Sequence, residues 1–275
     1  MKHNEFTFSF LKTTFYGQYW EPENIKGAIV LVHGMGEHSG RYLHVAEELV
    51  KAGFLVVSYD NFGHGKTSGK RGHNPSFEAL LSVVDTVIQK ARELAPTQPV
   101  FLYGHSMGGN VVINYTLRKK HNLKGVIVTS PFLKLAFQPP QWKMSLGKLL
   151  QKIAPSITLG NELDANHVSR DVIEVEKYLD DPLVHDKISP NYSLTILETG
   201  EWAINNAQSL KTPMFIAHGT DDKIIACEGS SEFAEKTDLA SLKLYENGYH
   251  ELHNDLCKEE LFKDIINWLN FNIKG

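Results

Sequence analysis

Residues 100–115, VFLYGHSMGGNVVINY, constrain the fold of this chain more than any other stretch. The apolar run Val100–Tyr103 predicts a buried strand, and a helical pattern is established by Gly109. Between them, GHSMG fits the pattern G-x-S-x-G. Between a strand and a helix this pattern forms a sharp, strained turn that exposes its middle side chain, here Ser106. The flanking glycines remove side chains that would clash at such a turn. The sequence therefore predicts an α/β arrangement built around Ser106.

Other apolar runs of strand length alternate with helical patterns along the chain. Gly27–His33 and Phe54–Tyr59 are continuously apolar, which is typical of strands buried on both faces. Strands are also predicted at residues 6–10, 14–20, 126–129, 214–218 and 242–245, with helices at 80–94, 228–236 and 261–271. This alternation predicts the α/β class, with a mostly parallel, doubly wound sheet.

The alternation stops between residues 132 and 199. Prolines break this region into short helical patterns. Because an insertion between two core strands lies at the carboxyl end of the sheet, we expect it to cover a site there. We therefore predict a core of residues 1–131 and 200–275, and an inserted, mainly helical cap of residues 132–199.

One helical stripe of the predicted cap is apolar. Residues 132–155 contain four lysines and no acidic residue. The expectation for most of the stripe is packing against the body of the protein. The alternative is transient peripheral contact with a membrane, because a basic and apolar helix face suits a lipid surface. The stripe consists of Trp142, Leu146, Leu149, Leu150 and Ile153.

Composition narrows the functional classes. A net charge of −4 gives no reason to expect a nucleic-acid partner. Cys227 and Cys257 have no metal-site or redox spacing, and neither a metal nor an organic cofactor is signalled. The N-terminus alternates apolar and polar residues, unlike a signal peptide, and no apolar run approaches the ~20 residues of a membrane span. A cytoplasmic protein is expected.

A serine nucleophile needs a histidine base and a carboxylate to orient it, and in this type of fold they follow in the order serine, acid, histidine. The loop after the strand at 214–218 offers Asp221 and Asp222, and the segment after the last strand offers His250 and His253. All of these loops follow strands at one edge of the predicted sheet. From the local pattern alone, either aspartate and either histidine fits.

The oxyanion that forms during acyl transfer needs two backbone N–H donors. The residue after the nucleophile, Met107, is expected to provide one. The loop after the strand at Gly27–His33 is expected to provide the other, from Met35.

Six motifs run in order along most of the chain: HGMGEHSGRY at 33–42, YDNFGHGKTSGKRGH at 59–73, GHSMGG at 104–109, DPLVH at 181–185, HGTDD at 218–222 and YENGYHELHND at 245–255. In these motifs the chain resembles the monoacylglycerol lipase and lysophospholipase family of α/β-hydrolases. The resemblance implies an α/β-hydrolase fold, with Asp222 as the acid and His250 as the base. It also implies that Glu37, Arg41 and His253 line a pocket for the glycerol head. The alternative for Glu37 and Arg41 is that they pair and brace the oxyanion loop.

This resemblance implies a serine carboxyl-ester hydrolase that cleaves monoacylglycerol to fatty acid and glycerol. Rival substrates are lysophospholipids and short-chain or aryl esters. An acyltransferase, in which an alcohol replaces water, is a different class that uses the same residues. A non-catalytic ligand-binding module is disfavoured because serine, acid and histidine are all present.

Overall fold

The computed structural model describes residues 1–274. The predicted core segment 200–275 thus ends on Gly275, which lies outside the described residues. The strands are β1 Lys2–Phe10, β2 Thr13–Glu21, β3 Gly27–Val32, β4 Phe54–Tyr59, β5 Val100–His105, β6 Gly125–Thr129, β7 Leu159–Gly160, β8 Lys187–Ile188, β9 Met214–Gly219 and β10 Ala240–Tyr245. The α-helices are α1 Leu43–Lys51, α2 Phe77–Leu94, α3 Met107–Arg118, α4 Gln141–Ile153, α5 Val172–Asp180, α6 Pro190–Asn205, α7 Cys227–Ala234 and α8 Lys258–Lys274.

Eight of these strands form one sheet, in the order β1-β2-β4-β3-β5-β6-β9-β10. The β1–β2 and β2–β4 pairs are antiparallel, and all other pairs in this sheet are parallel. β7 and β8 form a separate two-stranded ribbon. The predicted α/β class and the mostly parallel sheet are confirmed.

Helices cover both faces of the sheet, which explains the continuously apolar strands. Along β3, Ala28, Val30 and Val32 pack into a core with α2 and α3. Ile29 and Leu31 point to the opposite face, where they join a second core with α1 and α8. Because successive side chains of a strand alternate between faces, both sets must be apolar.

The register of the parallel strands aligns their carboxyl ends. Val32 lies opposite Tyr59 on one side and Gly104 on the other. Thr129 lies opposite both His105 and Ala217. The loops that follow β3, β5, β6 and β9 therefore emerge at one edge of the sheet, where ligands of open α/β sheets bind.

Residues 132–199 contain α4, β7, α5, β8 and the first part of α6. α6 crosses the boundary predicted at residue 199, and its side chains Tyr192, Ile196 and Ala203 belong to the core that also contains α2 and α3. Part of α6 is thus packed as core structure. The division into core and cap stays a prediction.

The apolar stripe on α4 does not pack on the body as expected. Trp142 is 64% exposed and Ile153 is 69% exposed, and Leu146 and Leu149 are also exposed. The neighbouring face approaches α6, where a Cβ on Gly147 would lie 3.6 Å from Leu194. At that distance a Cβ would make only ordinary van der Waals contact, so the approach to α6 does not depend on glycine. The packing expectation is therefore wrong for most of the stripe. Within residues 1–274, the structure contains no helix with the length and apolarity needed to cross a membrane.

Candidate active site

Ser106 lies between β5 and α3 in a strained backbone conformation, with φ +52° and ψ −116°. A left-handed φ at a non-glycine residue costs on the order of 1–3 kcal/mol and is maintained by the surrounding structure. The turn has no room for side chains beside it. A Cβ on Gly104 would lie 2.4 Å from the carbonyl oxygen of Gly108, and one on Gly108 would lie 2.1 Å from that of Val32. The two glycines of GHSMG are therefore sterically required.

A hydrogen-bonded chain connects Ser106, His250 and Asp222. Nε2 of His250 lies 2.9 Å from Oγ of Ser106. Nδ1 of the same ring lies 2.7 Å from Oδ2 of Asp222. All three residues are buried. This arrangement is suited to proton transfer from the serine hydroxyl to the imidazole, with the carboxylate fixing the tautomer of the ring.

The two adjacent aspartates lie in different environments. The other oxygen of Asp222, Oδ1, accepts hydrogen bonds from the N–H groups of Ile224 and Ile225. Asp221 points to solvent with its side chain 47% exposed, 3.9 Å from the amine of Lys223. The structure thus brings Asp222, and not Asp221, to the histidine.

Two opposing effects set the pKa values of His250 and Asp222: burial disfavours the charged form of each group, and the attraction between the two groups favours it. Burial acts to lower the pKa of His250, but the charge of Asp222 and its hydrogen bond outweigh this and raise the pKa above the ordinary value. For Asp222, burial acts to raise the pKa. The charge of His250 and hydrogen bonds from His218 and His250 nevertheless hold it well below the usual range. The site therefore favours an ionised Asp222 beside a histidine that accepts a proton readily.

His253 lies outside this chain of hydrogen bonds. Its ring is fully buried, stacks on Tyr42 at 4.8 Å between centroids and meets the ring of His105 edge-on at 4.8 Å. Burial lowers the pKa of His253 well below its ordinary value. Within residues 1–274, no hydrogen-bond partner reaches either ring nitrogen.

Glu37 and Arg41 belong to a buried ionic network. The guanidinium of Arg41 makes two hydrogen bonds to Glu251, of 2.7 and 2.8 Å, and one of 2.9 Å to Glu37. The second carboxylate oxygen of Glu37 accepts from the N–H of Gly34 and the hydroxyl of Tyr42, both at 2.6 Å. Arg41 therefore connects the loop after β3 to the residue beside His250. These contacts support the bracing alternative.

The two residues expected to supply the oxyanion donors belong to segments that adjoin the nucleophile. Met107 is the first residue of α3, directly after Ser106. Met35 follows Gly34, and a Cβ on Gly34 would lie 3.3 Å from Cβ of Ser106. Within residues 1–274, the N–H groups of Met35 and Met107 donate to no protein acceptor. Both are thus available to a ligand atom near Ser106.

Cys227 and Cys257 are free and partly buried. In the part of the chain that the structure describes, no group of three or more histidine, cysteine, aspartate or glutamate side chains is placed to hold a metal ion.

Sequence reasoning missed three residues that support the site. Glu251 pairs with Arg41, Ser130 donates to the carbonyl of His250, and His218 lies 3.1 Å from Asp222. The only feature of the sequence that could have indicated them is their position, because each lies in, or directly beside, a loop at the carboxyl edge of the sheet. Nothing in the local pattern gave their partners.

The fold and the geometry around Ser106 define an α/β-hydrolase of the serine hydrolase class. A family model described as serine aminopeptidase, S33, matches residues 23–257, so the chain belongs to this family of α/β-hydrolases. The resemblance read from the motifs is confirmed. The protein is a serine hydrolase with esterase or lipase activity.

Similar proteins are known over most of this chain. A monoacylglycerol lipase of Mycolicibacterium smegmatis is 32% identical over 91% of this chain and 90% of its own length. The crystal structure of Paleococcus ferrophilus monoacylglycerol lipase superimposes with a TM-score of 0.87 at 36% identity, covering 94% of this chain and 99% of that one. An uncharacterized abhydrolase domain-containing protein of Dictyostelium discoideum is 38% identical over 96% of this chain. The match spans only 28% of that longer protein.

Proposed function

We propose that the protein hydrolyses monoacylglycerols to fatty acid and glycerol. The observation that carries the proposal is the series of hydrogen bonds from Ser106 through His250 to Asp222. The protein that contains it is similar to monoacylglycerol lipases over nearly its whole length. Similarity alone leaves the substrate open, because related esterases share the same chemistry.

In the acylation half of the proposed reaction, Nε2 of His250 takes the proton of the Ser106 hydroxyl as Oγ attacks the ester carbonyl. The N–H groups of Met35 and Met107 donate to the oxyanion. When the tetrahedral intermediate collapses, the protonated imidazole gives its proton to the departing glycerol oxygen. Asp222 stabilises the imidazolium throughout.

In the deacylation half, water attacks the acyl group on Ser106. His250 takes a proton from that water, and the fatty acid leaves as Oγ regains a proton. An alcohol in place of water would make the protein an acyltransferase. Product analysis in the presence of added alcohol distinguishes the two outcomes.

A product-resolved panel tests the substrate. It compares a monoacylglycerol, a diacylglycerol, lysophosphatidylcholine and a p-nitrophenyl ester, all with the same acyl chain. We expect the highest kcat/KM for the monoacylglycerol, with free glycerol as product. A higher kcat/KM for lysophosphatidylcholine or the aryl ester would contradict the proposal and assign the protein to a rival class.

The predicted glycerol pocket is tested by extending the panel to Arg41→Lys and His253→Phe. Complete removal of Arg41 would leave Glu37 and Glu251 buried and unpaired, so the conservative variant is preferred. If Arg41 and His253 bind the head group, KM should rise for the monoacylglycerol by about tenfold to a hundredfold, since one lost hydrogen bond costs ~1–3 kcal/mol. If they brace the loop, kcat should fall alike for the monoacylglycerol and the p-nitrophenyl ester. Equal losses on both esters would exclude a head-group contact.

We further propose that residues 132–199 act as a cap whose α4 contacts lipid. Trp142 and Leu149 are exposed on one face of α4, and Lys148 and Lys152 lie on the same helix. An exposed apolar stripe with basic residues suits an anionic lipid surface. In this proposal a cytoplasmic protein binds reversibly to a membrane, where it reaches its lipid substrate.

Vesicle flotation tests the lipid contact. Trp142→Glu with Leu149→Glu should reduce binding to anionic phospholipid vesicles at least tenfold, because each buried side chain of this size contributes about 1.5–3 kcal/mol. The control is Phe271→Glu on α8, a side chain that is 79% exposed and far from α4 in sequence. Equal binding of both variants would refute the contact.

A further inference from the structure

Ser130, directly after β6, combines complete burial with a left-handed backbone. Its φ is +44° and its side chain is inaccessible to solvent. Within residues 1–274, the other buried non-glycine residue with a positive φ is Ser106. The remaining ones are exposed and lie in turns or irregular segments, at Leu11, Lys12, Glu162 and Asn247. Glycine would adopt this conformation with less strain than serine, so the role of Ser130 should lie in its side chain.

The hydroxyl of Ser130 donates a hydrogen bond of 2.7 Å to the backbone carbonyl of His250. Both groups are buried, and in the described part of the chain no second donor reaches this carbonyl. The same histidine presents Nε2 to Ser106. The hydroxyl thus holds the backbone from which the imidazole extends.

The backbone around Ser130 also contacts the other two segments of the site. The N–H of Ser130 donates to the carbonyl of Ala217 in β9, the strand that leads to Asp222. The carbonyl of the preceding Thr129 accepts from the N–H of Ser106 at 3.0 Å. Residues 129–130 therefore touch the segments that carry the nucleophile, the acid and the base.

We propose that Ser130 is a positioning residue for the hydrolytic reaction: its hydroxyl fixes the carbonyl of His250 and so keeps the imidazole in line with Oγ of Ser106. The inference rests on the proposed role of His250 as the base. Ser130 itself does not touch the substrate. The hydrogen bond from the N–H of Ser130 to the carbonyl of Ala217 helps to hold the left-handed turn in place.

Two substitutions separate positioning from stability. Ser130→Ala removes the hydroxyl and keeps the strained backbone, whereas Ser130→Gly removes the hydroxyl and relieves the strain. Because a displacement of about 1 Å can cost up to ~10²-fold in rate, we expect both to lower kcat on a p-nitrophenyl ester by about tenfold to a hundredfold, with KM little changed. The rate constant for inactivation by a fluorophosphonate should fall in parallel. The glycine variant should have the higher Tm of the two and yet be no more active.

Ser58→Ala is the matched control, because the buried hydroxyl of Ser58 also donates to a backbone carbonyl, that of Leu31, at 3.0 Å. It should lose stability and retain the wild-type kcat. If Ser130→Gly recovers activity together with Tm, or if Ser58→Ala loses as much kcat as Ser130→Ala, the role of Ser130 is only structural.

Labelling of the wild-type protein by the fluorophosphonate shows whether the positioning role of Ser130 has failed or the proposed function itself. Wild-type protein labelled by the fluorophosphonate on Ser106, in a manner that requires His250, supports the base assignment whatever Ser130 does. Without that labelling, the proposed mechanism itself is refuted.

Discussion

Ser106→Ala is expected to reduce ester hydrolysis by roughly 10⁴–10⁶-fold and to abolish covalent labelling by a fluorophosphonate. No other hydroxyl in the described residues lies in the same relation to His250, whose Nε2 is 2.9 Å from Oγ of Ser106. Alanine can occupy the same backbone position, so the fold should persist. Product release measured by chromatography gives the rate, and intact-protein mass spectrometry gives the labelling.

The control for this variant is Ser209→Ala, which changes an exposed serine in the segment that precedes the amino end of β9. It should be labelled like the wild-type protein. A label recovered by peptide mapping on a serine other than Ser106 in the wild-type protein would overturn the assignment of the nucleophile.

Asp222→Asn and His250→Ala are expected to lower kcat by about 10³–10⁴-fold or more, whereas Asp221→Asn should change it by no more than a few-fold. Asparagine in place of Asp222 removes the charge that stabilises the imidazolium and can favour the wrong tautomer. The side chain of Asp221 is 47% exposed, and its carboxylate lies 3.9 Å from the amine of Lys223. Steady-state kinetics on the p-nitrophenyl ester measures each effect.

The two aspartate variants control for each other, because both lose one negative charge in the same loop. Circular dichroism and Tm should show that both are folded. A larger loss of kcat for Asp221→Asn than for Asp222→Asn would mean that the acid of the site has been misassigned.

Much of the fold could be predicted from local sequence, because the apolar pattern of the main strands is compatible with one kind of environment. A continuously apolar β3 or β4 can be stable only between two layers of helices, and this requirement indicates a parallel sheet. The order of the loops then placed Ser106, the aspartates and the histidines at one edge. The same reasoning failed for α4, because a helical period shows that one face is apolar and does not show whether that face packs on the body of the protein or meets solvent.

The choice between neighbouring residues was not determined by local pattern. Asp221 and Asp222 are equally close to the end of β9, but adjacent side chains in a turn point in different directions. Only the tertiary structure shows that Asp222 accepts from His250 and from two backbone N–H groups, while Asp221 faces solvent. The resemblance had implied the same residue, from motif position and not from geometry.

The sequence by itself determined the fold class, the strained turn at Ser106 and the edge of the sheet where the candidate catalytic residues meet, because burial and backbone sterics act over a few neighbouring residues. The tertiary structure alone decided which partners meet across large distances in the chain. Arg41 joins Glu251, and Ser130 holds the carbonyl of His250, through contacts between residues 210 and 120 positions apart. Hydrogen bonds and ion pairs require their atoms to be placed to within a few tenths of an ångström. Between segments this distant in sequence, such placement is reached only when the chain has packed.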